Sequence, residues 1–342
     1  MSLQIVAVVA LVITLVITLG IAGLVLFTAQ IARRVERALP PTGRFIEIDG
    51  ARIHYVERGT GAVTLLLVHG LGGNARHYTH SLVERLAHEF RVIVMERPGS
   101  GYSTRAAGAE AGPIAQAETV AAFIRALGLD RPVLVGHSLG GAIALATAVA
   151  HPSHVRALAL IAPLTILPDT PPAVFKGLMV ASPLVRKAIS WTLATPLAMA
   201  RREVLLGAIF GPEAVPADFA LAGGGMLGMR PSAFMAAATD VMAVPADMPR
   251  LAQRYHALSM PIAVLFGTHD RILDPQRHGE ALGEMIPTMQ LEWVEGAGAH
   301  AAPHGARSRR AFRGERRRPC GLASTDVGRS DWAPCAVTRA PV

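Results

Sequence analysis

The sequence predicts an α/β protein: a doubly wound, mostly parallel sheet with a helical cap insertion, preceded by one apolar helix able to cross a membrane. Three observations predict it. Short apolar runs alternate with helical runs from Val63 to Ile161 and again from Ile262 to Val294, the rhythm of strand–helix–strand units buried on both faces. Between Pro163 and Pro261 the strand-like runs vanish, and the chain is rich in Ala, Leu, Met and Pro at helical spacing. No charged residue occurs from Ile5 to Phe27, a run of about 35 Å as helix, enough to cross a bilayer with some tilt.

Composition bounds the function classes. The 342 residues carry a formal charge of +8 and 51% hydrophobic side chains, with a mean hydropathy of +0.37. From Arg307 onward nine arginines face only Glu315, Asp326 and Asp331, so the tail holds most of the charge and the body gives no reason to expect a nucleic-acid partner. Both cysteines, Cys320 and Cys335, lie in that tail. The body therefore offers neither a disulfide framework nor a thiolate metal site, and no metal or cofactor is expected.

In chain order, residues 1–38 read as a single-pass membrane anchor with a basic flank. A cleaved signal peptide fits less well, because no Lys or Arg precedes the apolar run, the run is too long and no small-x-small site follows. Arg33, Arg34 and Arg37 flank its carboxyl side, which favours a cytoplasmic catalytic domain. Ala38 to Gly43 reads as a short linker. Phe45 to Ile48 and Ile53 to Val56 alternate around Asp49-Gly50, a hairpin signal. Strands follow at Val63 to Val68, Arg91 to Met95, Val133 to His137, Ala157 to Ile161, Ile262 to Phe266 and Leu291 to Val294. Helices are expected at Ser81 to Glu89, Ile114 to Leu127 with Gly128 as its stop, Leu139 to Ala150, and near Gln276 to Met285. Arg97 to Ser103 reads as a tight loop at a strand end, without the Gly-Lys-Ser/Thr of a phosphate loop.

This divides the chain into a core at 39–163, a cap at 164–260, the rest of the core at 261–304 and an irregular Arg-rich tail at 305–342. An insertion at the carboxyl edge of a sheet would cover that edge as a lid. Met179, Met199, Met226, Met229, Met235, Met242 and Met248 lie in it; unbranched thioethers suit a surface accepting varied apolar groups, although most are expected simply to pack the lid's own core. Gly223-Gly224-Gly225 is a candidate hinge.

The chemistry gathers around Ser138. An apolar strand runs into Gly136-His137-Ser138-Leu139-Gly140 and then into an Ala-rich helical run. Small residues at Gly136 and Gly140 let the backbone turn sharply enough to expose the hydroxyl at the carboxyl end of the sheet. The helix behind it aims N–H groups at the site of a forming oxyanion. After the central strand Val63 to Val68 comes His69-Gly70-Leu71-Gly72-Gly73, a turn whose backbone can also face a ligand. There the Leu71 N–H is the natural second oxyanion donor beside that of Leu139, and His69 is expected to be structural.

With this elbow, the His69-Gly70 loop, Asp270 after a late strand and His300 near the end, the chain resembles the α/β-hydrolase superfamily, specifically its cap-bearing serine esterase and lipase-like branch, over roughly 45–300. The resemblance implies the triad Ser138, Asp270 and His300. A neutral imidazole would take the Ser138 proton, the carboxylate would hold that imidazole in the right tautomer, and each oxyanion donor would contribute about 3 kcal/mol. Asp274 precedes Pro275 and reads as a helix cap; His269 adjoins the acid, and His304 is the serious rival to His300. The implied function is a membrane-anchored serine hydrolase of small apolar esters. Carbon–carbon bond hydrolysis, cofactor-free perhydrolysis and an inert membrane-tethered binding protein are the alternatives, and serine at 138 excludes the nucleophilic Asp of dehalogenases and epoxide hydrolases.

Where the family continues past its histidine into a closing helix, 301–342 has no apolar stripe. A shifted reading frame is the expected reason. Ala299 to Arg313 admit codons whose neighbouring frame continues His-Met-Leu-Pro-Leu, and the gene's nucleotides decide it.

Overall fold

The computed structural model describes residues 3–299. One eight-stranded sheet organises them: β1 (Arg44–Ile48), β2 (Ala51–Arg58), β3 (Thr64–Val68), β4 (Arg91–Met95), β5 (Val133–His137), β6 (Ala157–Ile161), β7 (Ile262–Gly267) and β8 (Gln290–Val294), in the spatial order β1-β2-β4-β3-β5-β6-β7-β8. The pairs β1–β2 and β2–β4 are antiparallel and the rest are parallel. The predicted hairpin turns at Asp49 (φ 48°) and Gly50 (φ 79°), the two positive φ values that match the twist of the flanking strands.

The helices are α1 (Leu3–Ala38), α2 (Arg76–Thr79), α3 (Val83–Leu86), α4 (Pro113–Ala126), α5 (Leu139–Ala150), α6 (Pro183–Trp191), α7 (Ala194–Ala200), α8 (Arg202–Phe210), α9 (Pro231–Ala252) and α10 (Ala281–Met285). Both faces of the sheet are covered, so successive strand residues enter different cores. Leu66 and Val68 of β3 join Leu134, Leu160, Phe123 and Ile143 on one side. Leu65 and Leu67 join Val133, Val135, Tyr78 and Leu86 on the other. This two-sided burial is why the parallel strands read as unbroken apolar runs. Between β6 and β7 lie α6 to α9 and no strand.

Three expectations change in the folded chain. Of the helix expected over Ser81 to Glu89 only the single turn α3 forms, burying Val83 and Leu86 under the sheet, and the separate turn α2 ahead of it buries Tyr78. The segment Ala38 to Gly43 is not a free linker: Leu39 is buried, its carbonyl accepts from Tyr102 Oη, the Pro40 carbonyl accepts from Arg76 Nη2 at 2.9 Å, and Gly43 N–H donates to His54 Nε2 at 3.1 Å. The expected hinge Gly223-Gly224-Gly225 is packed at its centre: the Gly224 carbonyl accepts from Asn74 Nδ2 at 3.2 Å and a methyl there would meet Asn74 Oδ1 at 2.6 Å. Of the seven methionines named above, Met248 is fully buried, while Met179 and Met199 reach solvent.

Candidate active site

Ser138 joins β5 to α5 with φ 52° and ψ −119°, a conformation costing a non-glycine residue about 1–3 kcal/mol that persists only where its surroundings over-determine it. They do so through the backbone. Ser138 N–H donates to the Ile161 carbonyl at 3.0 Å, and its own carbonyl accepts from the N–H groups of Gly141 at 2.9 Å and Leu164 at 3.0 Å. The two expected glycines are required by space. A methyl on Gly136 would lie 2.6 Å from the Gly140 carbonyl oxygen, and one on Gly140 would run into the carbonyl oxygen of Val68.

The glycine-rich turn abuts this elbow. A methyl on Gly70 would stand 3.1 Å from both Ser138 Cβ and His137 Nδ1, so Leu71 and Leu139, the residues expected to supply oxyanion donors, follow two segments in direct contact. His69 is structural, as expected. Its Nε2 accepts the Arg97 N–H at 3.1 Å, and its Nδ1 lies 2.9 Å from the Gly70 carbonyl oxygen, which places the proton on Nδ1. Burial, and then the Arg97 charge, hold its pKa well below the usual 6.5.

What the sequence did not reveal is the clamp behind this turn. Arg97 is buried; its Nε and Nη2 donate to the carbonyls of His69 and Gly70 at 2.9 and 3.0 Å, and its Nη1 donates to Gln116 Oε1 at 2.9 Å and Asp240 Oδ2 at 2.6 Å. Asp240 lies on α9 and also accepts from Arg105. The insertion is thereby tied to the loop that faces Ser138 by a buried ion pair. The available signal was a charged pair, Glu96-Arg97, directly after the apolar run Val92 to Met95; the partner of Arg97, 143 residues away, left no local trace.

Asp270 sits in the turn after β7. Its Oδ1 accepts from the N–H groups of Ile272 at 2.7 Å and Leu273 at 3.0 Å, and its Oδ2 is buried with no hydrogen-bond partner among the described residues. Burial pushes its pKa up to about 6, against the lowering by those two N–H groups and with a smaller rise from Glu213. Asp274 is a cap, accepting the Arg277 N–H at 3.1 Å. His269 is exposed beside Thr268.

The chain beyond β8 returns to both landmarks. His269 N–H donates to the Ala297 carbonyl at 2.8 Å, Gly298 N–H donates to the Glu213 carboxylate at 3.0 Å, and the Ala299 carbonyl accepts from His137 Nε2 at 3.1 Å. Burial holds His137 down to about 4, so near pH 7 the ring is neutral with its proton on Nε2. The stretch from 297 to 299 thus spans from the turn carrying Asp270 to the residue preceding Ser138. His300, His304 and the tail lie outside the described residues. Among the described residues no group of three His, Cys, Asp or Glu side chains could hold a metal ion. An open depression of about 1000 Å³ borders Asp270, Lys176 and Trp293; it includes no residue of the elbow and does not define a site around Ser138.

A family model described as the alpha/beta hydrolase fold matches residues 63–187. The chain is similar to the dihydrolipoyllysine-residue acetyltransferase component of the acetoin cleaving system of Cupriavidus necator, 36% identical over 121 residues, 35% of this chain and only 32% of that protein. It is similar to 2-hydroxymuconate semialdehyde hydrolase of a Pseudomonas species, 35% identical over 123 residues, 35% of this chain and 43% of that enzyme. The chain thus spans less than half the length of these curated relatives. Among solved structures, a bacterial membrane phospholipase A superposes with a TM-score of 0.60 at 25% identity, covering 86% of this chain and 92% of that one. With the strand order, the elbow and the matched core at 63–187 agreeing, the chain has the α/β-hydrolase fold.

Proposed function

We propose that the protein is a membrane-anchored serine hydrolase that cleaves carboxylic esters of apolar substrates through an acyl-enzyme. The observation that carries the reading is Ser138, held in a strained backbone at the tip of β5 and against the Gly70–Leu71 turn. In this reading Ser138 Oγ attacks the ester carbonyl carbon while His300 Nε2 takes its proton, and the N–H groups of Leu71 and Leu139 stabilise the oxyanion. The imidazolium then protonates the departing alkoxide. Water, deprotonated by the same imidazole, hydrolyses the acyl-enzyme and restores Ser138. Asp270 Oδ2 would accept the other ring N–H of His300; an ionised carboxylate in that contact stabilises the imidazolium. The helix α1, 36 residues with an apolar window that no described residue buries, would be the anchor, and Arg33, Arg34 and Arg37 favour a cytoplasmic catalytic domain.

Labelling of the full chain by a fluorophosphonate, lost in Ser138→Ala, is the expected result; a folded chain that resists the probe overturns the reading. Similarity to 2-hydroxymuconate semialdehyde hydrolase favours a second reading, carbon–carbon bond hydrolysis by the same serine. Turnover of a graded ester series against dienone acids separates the two.

A further inference from the structure

The insertion turns an unusual face to its surroundings. Helix α6 buries Arg186 and Ser190, with Arg186 Nη1 donating to Thr239 Oγ1 of α9 at 3.0 Å, and leaves Leu184 80%, Val185 49% and Trp191 40% exposed. Leu193, Leu197 of α7 and Val204 of α8 continue the apolar surface, Val204 being 73% exposed. Outside α1 there are twelve exposed large apolar side chains among the described residues, and eight of them lie between 179 and 204. Such clustering marks a surface that another phase or molecule covers.

The occupant is indicated by α1. Residues 3–23 are exposed throughout, about 31 Å of helix, matching the roughly 30 Å of a bilayer's hydrocarbon core. From Leu24 onward the helix is partly covered, where it packs against α6, α7 and the short 3-10 turn Gly225–Met229. Its strongly apolar run continues to Phe27, so the last apolar turn of the span is already beside the insertion. The level at which the chain leaves the bilayer is the level at which it meets α6 and α7.

The joint is rigid. Val35, Leu39 and Leu227 form a small buried core. Arg230 lies 3.5 Å from Glu36, donates to the Gly101 carbonyl and stacks over Tyr102 at 4.5 Å, tying anchor, insertion and core at one point. Exposed Lys176, Lys187, Arg201 and Arg202 accompany the apolar face against Glu203 alone over 171–210, and Arg33, Arg34 and Arg37 are exposed at the end of α1. This charge complements anionic headgroups.

Resting on the anchoring proposed above, we propose that the face formed by α6, α7 and α8 docks in the bilayer interface, its apolar side chains at the headgroup–acyl boundary of an anionic leaflet. The test uses the full chain with Trp191 as its sole tryptophan (Trp293→Phe, Trp332→Phe), in phosphatidylcholine–phosphatidylglycerol vesicles brominated along the acyl chains. Trp191 fluorescence is expected to be largely quenched, whereas a chain keeping only Trp293, on β8, stays bright. Adding Leu184→Glu and Val204→Glu is expected to remove most of the Trp191 quenching while the chain stays bound to vesicles through alkaline carbonate washing. Release by carbonate overturns the anchor. Retention with Trp191 unquenched overturns the docking alone, and a blue shift that grows with the protein-to-lipid ratio without quenching assigns the face to a second copy of the chain and overturns it as well.

Discussion

The two ends of the candidate site are built by different means. On the nucleophile side, Ser138 is held by backbone hydrogen bonds to Ile161, Gly141 and Leu164 and by glycines whose missing methyl groups make room for neighbouring carbonyls. On the acid side, Asp270 is held by two N–H groups at one oxygen, while the other is buried without a partner among the described residues. The first arrangement carries backbone strain, but every hydrogen-bonding group named in it is satisfied within the core. The second leaves a desolvated carboxylate whose charge is disfavoured, as its pKa near 6 records. A strained nucleophile can be carried by packing alone, whereas an unsatisfied acid is kept at the expense of stability and implies a donor that belongs to function.

Substitutions at the two ends break or sharpen this contrast. The largest effect is expected for Ser138→Ala, with kcat lower by about 10⁴–10⁶-fold and the melting temperature unchanged; comparable turnover in the variant would remove the serine from the chemistry. Asp270→Asn is expected to lower kcat by about 10⁴-fold, since it favours the wrong tautomer of the base. Stability should move the other way. A folded pKa above the unfolded value means that stability is lost as pH rises from about 4 through about 6, so above pH 6 the neutral variant should melt no lower than the parent by calorimetry. A clear drop there would show that the carboxylate is satisfied and the contrast mistaken.

Asp240→Ala leaves Arg97 buried and uncompensated and is expected to cost about 3–5 kcal/mol in urea unfolding. Because Arg97 also holds the His69 and Gly70 carbonyls, the loss should appear at the nucleophile side and spare the turn that carries Asp270. The smallest effect concerns His137. Its folded pKa of about 4 lies below the usual 6.5, so proton uptake favours the unfolded chain and stability falls as pH drops from about 6.5 to 4, by roughly 3 kcal/mol at most. In His137→Phe that part of the slope should vanish, with about 1 kcal/mol lost at pH 7 from the bond to Ala299; an unchanged slope would locate the titration elsewhere, for example at buried His278, also held down to about 4.

Much of the fold was legible because its signals are local. Unbroken apolar runs marked β3 to β7, Asp49-Gly50 marked the hairpin, and two glycines around Ser138 marked the elbow. Asp274 was separable from Asp270 because a cap is written in the residue that follows it. The reading failed where local pattern met tertiary demand: Ser81 to Glu89 has helical composition yet keeps only the single turn α3, and Ala38 to Gly43 has linker composition yet docks through Leu39 and Gly43.

The sequence by itself determined the alternation of strands and helices, the elbow, the glycine-rich turn and the membrane-length helix, because periodicity and steric permission act between near neighbours. Only the tertiary structure decided that Asp240 clamps Arg97 across 143 residues, that His137 holds Ala299 across 162, and that the carboxyl end of α1 meets α6 and α7 of the insertion. Those pairings depend on how packed elements bring distant positions together, and no spacing along the chain encodes them.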